Sequence, residues 1–317
     1  MEAKRQADGL IVGGGIAGLQ AALQLGRYGH SVLVVDAGRG RSTLCRSYHN
    51  VLGWPDGISG MELRRIGRQQ AEAVGVRFAD DEIVKAERHA YDGRPGFRLT
   101  GGRSGSVYEG RVLLLATGIM DRFPELPGLE PCLGKSVYVC PDCDGYEIRG
   151  RRTIVLGAGS VGAAMALTLS HWSDDIVYVN HERSEVEPKL LRRLEEQAIP
   201  YIAAPIERVL ESEDGCFEGV VLGGNEQRTI EAERGFIAFG GNRVHSDLCE
   251  GLGVERLENR HISTDPRSKM TNVPHVWAAG DVAVHSEQVT IAMGEGSQAA
   301  IWMNKALQQL QRAVTND

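Results

Sequence analysis

Aromatic residues are scarce in this sequence: Phe, Trp and Tyr make up only 6% of its 317 residues. Positive charge is not in excess either, since the formal net charge is −7 and the basic residues are scattered. Such a chain has no electrostatic footprint for nucleic acid or for an anionic membrane surface. No run approaches the roughly 18 consecutive apolar residues of a membrane-spanning helix. The opening stretch Met1-Glu2-Ala3-Lys4-Arg5-Gln6-Ala7-Asp8 reads as neither a signal nor a transit peptide, so a cytoplasmic protein is expected. Proline is sparse, at 11, and glycine follows no Gly-X-Y period, which excludes a collagen-like chain. With 42% hydrophobic and 24% charged residues the chain is too apolar to be disordered. The six cysteines (Cys45, Cys132, Cys140, Cys143, Cys216 and Cys249) are too few and too dispersed for a disulfide scaffold. Only Cys140 and Cys143 stand close together, and a lone close pair points to redox or metal chemistry.

Glycine is what the sequence has in excess, at 40 residues or about 13% against an average near 7%. At roughly 100–200 residues per domain the length predicts about two domains. Self-comparison finds them. The segment Gly9–Leu23 lies over Thr153–Leu167, with Gly13, Gly15 and Gly18 falling on Gly157, Gly159 and Gly162 at a constant offset of 144 residues. The following Ser31–Asp36 falls on Asp175–Asn180 at the same offset. Each unit reads as strand, glycine turn, helix, strand. The first glycine permits the bend, the second lets the backbone approach a pyrophosphate, and the third lets helix and strand pack closely. The helix start, at Ile16, Ala17 and Gly18 in one unit and Ser160 and Val161 in the other, then presents free N–H groups to the phosphates. The fold class is therefore α/β, with two Rossmann-like nucleotide-binding domains of three-layer ββα form, the second inserted in the first.

The two units end differently. Asp36 stands where a carboxylate accepts hydrogen bonds from ribose hydroxyls, which suits FAD or NAD. Its counterpart is Asn180, followed by His181-Glu182-Arg183; loss of the acid and the presence of Arg183 favour NADPH over NADH, while Glu182 and Glu187 oppose it. The apolar segments Arg111–Gly118 and Arg234–Gly241 read as crossovers bounding the inserted domain, and Val273–Asp281 as a short strand delivering Gly280 and Asp281 to a turn before a helix from Val289 to about Arg312. Met61–Val74 has helical periodicity, Glu82–Arg88, Phe97–Thr100 and Val107–Glu109 alternate like strands of a small side sheet, and Thr43–Gly60 is a long irregular loop. Directly upstream of the second unit lies Cys140-Pro141-Asp142-Cys143-Asp144-Gly145-Tyr146. Two thiols at this spacing can close a small disulfide, and Asp144 beside the second could pass a proton to and from a thiolate. Zinc is the alternative, but no second pair of ligands accompanies this one.

The order of the first glycine motif, Ala116-Thr117-Gly118, the C-x-x-C-D-G at Cys140–Gly145, the second glycine motif and Ala279-Gly280-Asp281 resembles the low-molecular-weight thioredoxin reductase family and the wider group of flavin-dependent disulfide oxidoreductases, over nearly the whole chain. The resemblance implies an FAD domain from residues 1–117 and 243–317, an NAD(P)H-type domain from 118–242 carrying the cysteines, hinges at 117–122 and 240–244, and a homodimer. It further implies that Cys143 faces the flavin, Cys140 attacks the external disulfide and Asp144 acts as acid and base. Asp281 would hydrogen-bond the ribityl chain, with Gln288 and Val289 near the isoalloxazine ring. NAD(P)H would be the donor and a thioredoxin-like protein or a small dithiol or disulfide the partner. Ferredoxin, a second flavin, or reversed flow to oxygen are the alternatives. The chain departs from the family pattern at Glu182 and Glu187, which stand at usually cationic positions, at Glu287 in place of an arginine near the flavin, and at Arg39–Leu44 in place of a Gly-Gly-Gln stretch.

Overall fold

A computed structural model describes residues 5–224, 228–283 and 287–315. The chain forms two compact units, one from residues 1–43, 60–120 and 244–317 and the other from 44–59 and 121–243.

The first unit is built on a strand, Gln6–Val12, paired in parallel with Val32–Asp36 on one side and Val107–Leu115 on the other. Arg77–Asp80 extends the sheet beyond Val32–Asp36, Val276–Ala278 pairs with Val107–Leu115, and the antiparallel strands Arg94–Gly101 and Ile83–Tyr91 complete seven. Successive residues of a strand point to opposite faces. Leu10 and Val12 accordingly enter one core with Leu33, Val35, Phe97 and Leu99, while Ile11 enters the other with Val32, Val34 and Leu114. That second face is covered by the helices Ile16–Arg27 and Val289–Thr315, whose Ala17, Ala21, Ala22, Ala299 and Ala300 let helix and sheet approach closely. Burial on both faces explains why these strands read as unbroken apolar runs.

One strand differs from its sequence reading. Val107–Glu109 and Arg111–Gly118 were expected as separate elements, yet they form the single strand Val107–Leu115. Gly110 is the joint: a Cβ there would stand 2.7 Å from Leu10 Cγ and 2.8 Å from Ala7 O. The glycine lets the strand run on, with 107–110 paired antiparallel to Arg94–Gly101 on one edge and 109–115 parallel to Gln6–Val12 on the other. The final helix also runs further than expected, to Thr315.

In the second unit the parallel sheet runs in the order Tyr201–Ile202, Ile176–Asn180, Thr153–Gly157, Arg234–Ala238, Val137–Tyr138. A separate antiparallel sheet comprises Ile206–Glu211, Phe217–Leu222 and Arg228–Glu231. The loop 44–59, expected within the first domain, packs with this unit; Arg46 N–H donates to Gly134 O at 3.0 Å. Gly134 has a φ of +68°, and a Cβ on it would meet Leu44 O at 2.2 Å, so only glycine admits the loop this closely.

Candidate functional site

The first glycine turn holds itself together through contacts that only glycine allows. Gly13 has a φ of +105°, and a Cβ there would stand 2.3 Å from Ala116 O, so the turn lies directly against Ala116-Thr117-Gly118. Gly18 repeats this inside the turn, with a Cβ falling 1.9 Å from Gly13 O. Thr117 Oγ1 donates to His245 O at 2.6 Å, and Gly118 O accepts from His245 N–H. The Gly280–Asp281 turn arrives from the other side. Its Gly280 has a φ of +77° and would place a Cβ 2.9 Å from Ala17 Cβ. The first unit thus brings Gly13, Gly15, Ile16, Ala17, Gly18, Ala116, Thr117, Gly118, Gly280 and Asp281 into one neighbourhood, with Gln288 and Val289 at the start of the final helix, where Ala292 N–H donates to Gln288 O.

Open space marks the middle of this cradle. Beyond Gly15 itself and its chain neighbours, no described heavy atom lies within 4 Å of where a Cβ on Gly15 would be, and the helix it begins has no side-chain cap and no acid in its first turn. Unclaimed N–H groups at a helix start suit a pyrophosphate. Asp36 accepts from Gly14 N–H at 3.0 Å with one oxygen and from Arg64 Nη2 at 2.7 Å with the other, leaving lone pairs for ribose hydroxyls. The residues present therefore fit FAD.

Two supports of this cradle escaped the sequence reading. Arg64 lies on the helix Gly60–Ala73, where it looks like one more charge on a solvated face. Glu295 is 5% exposed on the final helix; it accepts from Gly280 N–H at 3.0 Å and pairs with Lys269 Nζ at 2.8 Å, fixing the turn that carries Asp281. Neither has a sequence signal, because each works through a partner distant in the chain, the Asp36 carboxylate for Arg64 and the Gly280 N–H for Glu295.

The second glycine turn has the same form and different surroundings. Gly157 and Gly162 pack against Ala238 O and the Tyr178 ring, at 2.6 Å and 2.3 Å from a built Cβ. Beside Gly159 the space is taken: Glu185 O stands 2.8 Å from a built Cβ, and Glu187 N–H donates to Ser160 Oγ at 2.9 Å. Asn180 is fully buried, accepting from Gly159 N–H and donating to Ser184 O and Tyr201 Oη. Burial keeps the His181 imidazole below its ordinary pKa against the opposing pull of Glu182, and its Nδ1 accepts from Ile206 N–H at 2.8 Å. Glu182 pairs with Arg122, and Glu187 with Lys189 at 2.6 Å. Arg183 is exposed, with a φ of +54°, and Val161 is half exposed. The residues named for a dinucleotide lie together, but the chain's own loop 184–187 stands beside Gly159, at the position whose counterpart beside Gly15 is open.

Cys140 and Cys143 are joined as a disulfide, with Cα atoms 5.3 Å apart. Cys140 caps the single helical turn Pro141–Asp144, and its Sγ accepts from Cys143 N–H at 3.2 Å. The glycine that completes the motif has a steric reason: a Cβ on Gly145 would stand 2.7 Å from the Trp172 indole. Burial, reinforced by the charge of Asp144, pushes the Cys45 thiol up to about 12, and burial raises Cys132 and Cys249 to about 11. A cleft of about 1020 Å³ in the same unit is lined by Arg46, His49, Tyr138, Glu147 and the turn 211–215. Polar and apolar surface share its walls, and His49 Nδ1 and Glu147 Oε1 meet at 3.0 Å.

A sheet-and-helix unit with an open phosphate cradle, interrupted in the chain by a second such unit bearing a dithiol pair, is the organisation of a flavoprotein disulfide oxidoreductase. The pyridine nucleotide-disulphide oxidoreductase family matches residues 7–296. Thioredoxin reductase of Coxiella burnetii is 28% identical, across 96% of this chain and 97% of its own. Thioredoxin reductase tcpT of Claviceps purpurea is 29% identical, across 92% and 91% respectively. The crystal structure of HlmI superposes with a TM-score of 0.86 at 31% identity, covering 97% of this chain and 94% of that one. This chain belongs to the pyridine nucleotide-disulphide oxidoreductase family and is thioredoxin reductase-like within it.

Proposed function

We propose that the chain is an FAD-dependent dithiol/disulfide oxidoreductase in which Cys140 exchanges with an external disulfide or dithiol and Cys143 exchanges electrons with the flavin. The observation that carries this is the disulfide itself, with Cys143 N–H donating to Cys140 Sγ. A hydrogen bond of that kind favours the thiolate of the attacking sulfur, while Cys45, Cys132 and Cys249 are held protonated at neutral pH. Bound FAD supplies a reversible two-electron carrier. Asp144, next to Cys143, takes or returns the proton as the pair opens and closes. Thiol counting tests the pair: four free thiols are present with the disulfide closed, and two more should appear on reduction. Cys143→Ser should keep bound FAD and lose dithiol exchange; a variant with full exchange activity removes Cys143 from the mechanism.

Two sources of electrons fit this chemistry. NAD(P)H at the second turn is the one its motif suggests. The filled space beside Gly159, the satisfied Asn180 amide and the backbone-engaged His181 favour another, in which an external dithiol is the reductant. Two S–H bonds of that dithiol would be broken and one S–S bond formed as the Cys140–Cys143 disulfide opens to two thiols; bound FAD would supply the two-electron carrier that closes the pair again, with dioxygen as the terminal acceptor and hydrogen peroxide as its product. Anaerobic titration with NADPH, NADH, reduced ferredoxin and a small dithiol, following flavin bleaching, separates the two. Bleaching by dithiol with stoichiometric peroxide on readmitting oxygen supports the second; bleaching by NADPH at a rate that exceeds dithiol supports the first.

A further inference from the structure

The turn after the strand Val32–Asp36 carries a cation that no phosphate motif requires. Arg41 begins the short helical turn Arg41–Thr43; its guanidinium pairs with Glu287 and lies 3.5 Å from Asp281 Oδ2. The three side chains are only 18%, 29% and 21% exposed. The other oxygen of Glu287 lies 4.0 Å from His261 Nε2. Ser42, next in the turn, accepts from Arg64 Nη1 at 3.4 Å, and Arg64 in turn holds Asp36. One short turn is thereby tied to Asp36 through Arg64 and to Asp281 through Arg41. These are the two carboxylates expected at the adenosine ribose and at the ribityl chain of FAD.

We propose that the turn 40–43, closed by the Arg41–Glu287 pair, is a latch over bound FAD that sets how fast the cofactor is released. The proposal rests on FAD occupying the first cradle. Removing Arg41 would leave Asp281 and Glu287 as neighbouring carboxylates beside an anionic cofactor, and like charges in a shielded site repel. Removing the charge of Glu287 would free the guanidinium from its closing contact while preserving the side-chain shape. Both changes should open the same latch, so their effects should not multiply.

The test is the rate at which the holoprotein loses FAD, followed by flavin fluorescence after dilution into an excess of a scavenging apoflavoprotein. Glu287→Gln and Arg41→Met should each release FAD about tenfold faster than the parent, the scale of one charge-assisted contact. Arg41→Met/Glu287→Gln should release it no more than about twice as fast as Arg41→Met alone. Release at the parental rate from either single variant overturns the latch, as does a double variant whose factors multiply. Glu287→Gln keeps the side-chain shape, so it reports even if Arg41→Met fails to fold. A parent protein that takes up no FAD overturns the latch together with the cofactor assignment, and that result is visible before any variant is made.

Discussion

Apart from its chain neighbours, Gly15 has no described heavy atom within 4 Å of where a side chain would begin, whereas at Gly159, the same position of the repeat, the Glu185 carbonyl is 2.8 Å away. Both turns follow an apolar strand, both begin a helix without a side-chain cap, and both lean on a polar side chain from the next strand that accepts a backbone N–H. The difference lies in what that side chain does with its remaining capacity. Asp36 is partly exposed and shares its second oxygen with Arg64; Asn180 is sealed in the interior and donates both amide hydrogens to the chain. The glycine pattern specifies the bend and the close packing. What stands beside the helix start is set by the loop after the second strand, which the pattern does not contain.

The largest expected effect separates the two turns directly. Gly15→Asp places a carboxylate in the open cradle and should weaken FAD binding by about a hundredfold or more, through repulsion of the pyrophosphate in a shielded site. The melting temperature of the apoprotein should stay near that of the parent, because nothing is displaced. Gly159→Asp should do the reverse, lowering the melting temperature while FAD binding persists, since the residue has a φ of +51° and no room for a side chain. Calorimetric FAD titration and thermal melts on the pair decide the matter, and a Gly15→Asp protein that remains yellow removes the first turn as the flavin site.

A smaller effect should follow from recharging the second turn. Glu182→Gln releases Arg122 from its ion pair, and Glu187→Arg adds a cation at the adjoining helix start. If charge is what keeps a nicotinamide dinucleotide away, the double variant should be reduced by NADPH at least about tenfold faster than the parent, because each change favours a phosphate. An unchanged rate in stopped-flow measurements would assign the exclusion to the filled space beside Gly159 instead. Converting the first turn toward the second is milder again. Asp36→Asn retains an oxygen for Gly14 N–H but loses the charge paired with Arg64, and FAD should dissociate about tenfold more readily.

Much of this architecture can be read from the residues alone, and the reasons are local. The glycine turns, the strands feeding them and the Cys140–Asp144 segment each depend on neighbours a few residues away, so their pattern survives in one dimension. The joint at Gly110 is harder, because a glycine in an apolar run signals an interruption unless the neighbouring strand is known; here it admits Leu10 and Ala7 O. Glu295, Lys269 and Arg64 are harder still: they act on Gly280 and Asp36 across 15 to 28 residues, and each resembles an ordinary surface charge in sequence. The loop 44–59 shows the same limit, since its length is legible but its attachment beside Gly134 is not.

The first unit holds a buried carboxylate whose titration gives the smallest effect and an independent handle on that unit. Asp81, 1% exposed in the first unit, is pushed upward in pKa by burial, but hydrogen bonds from Ser104, Tyr108 and the N–H groups of Arg103 and Glu82 outweigh this and hold it at about 2. Asn180, buried beside the glycine turn of the second unit, has no charge to lose. A carboxylate whose folded pKa lies below its ordinary value of 3.8 contributes stability that is complete above that value and is lost as pH falls through about 2. Between pH 5 and pH 3 this single group should remove about 1 kcal/mol from the unfolding free energy of the first unit. Urea titrations followed by flavin fluorescence should show that loss in the parent protein. Asp81→Asn should lower stability at pH 5 and flatten the acid dependence, because its amide cannot accept all four hydrogen bonds and does not titrate. An Asp81→Asn protein with the parent's acid slope would place the sensitivity elsewhere in the chain.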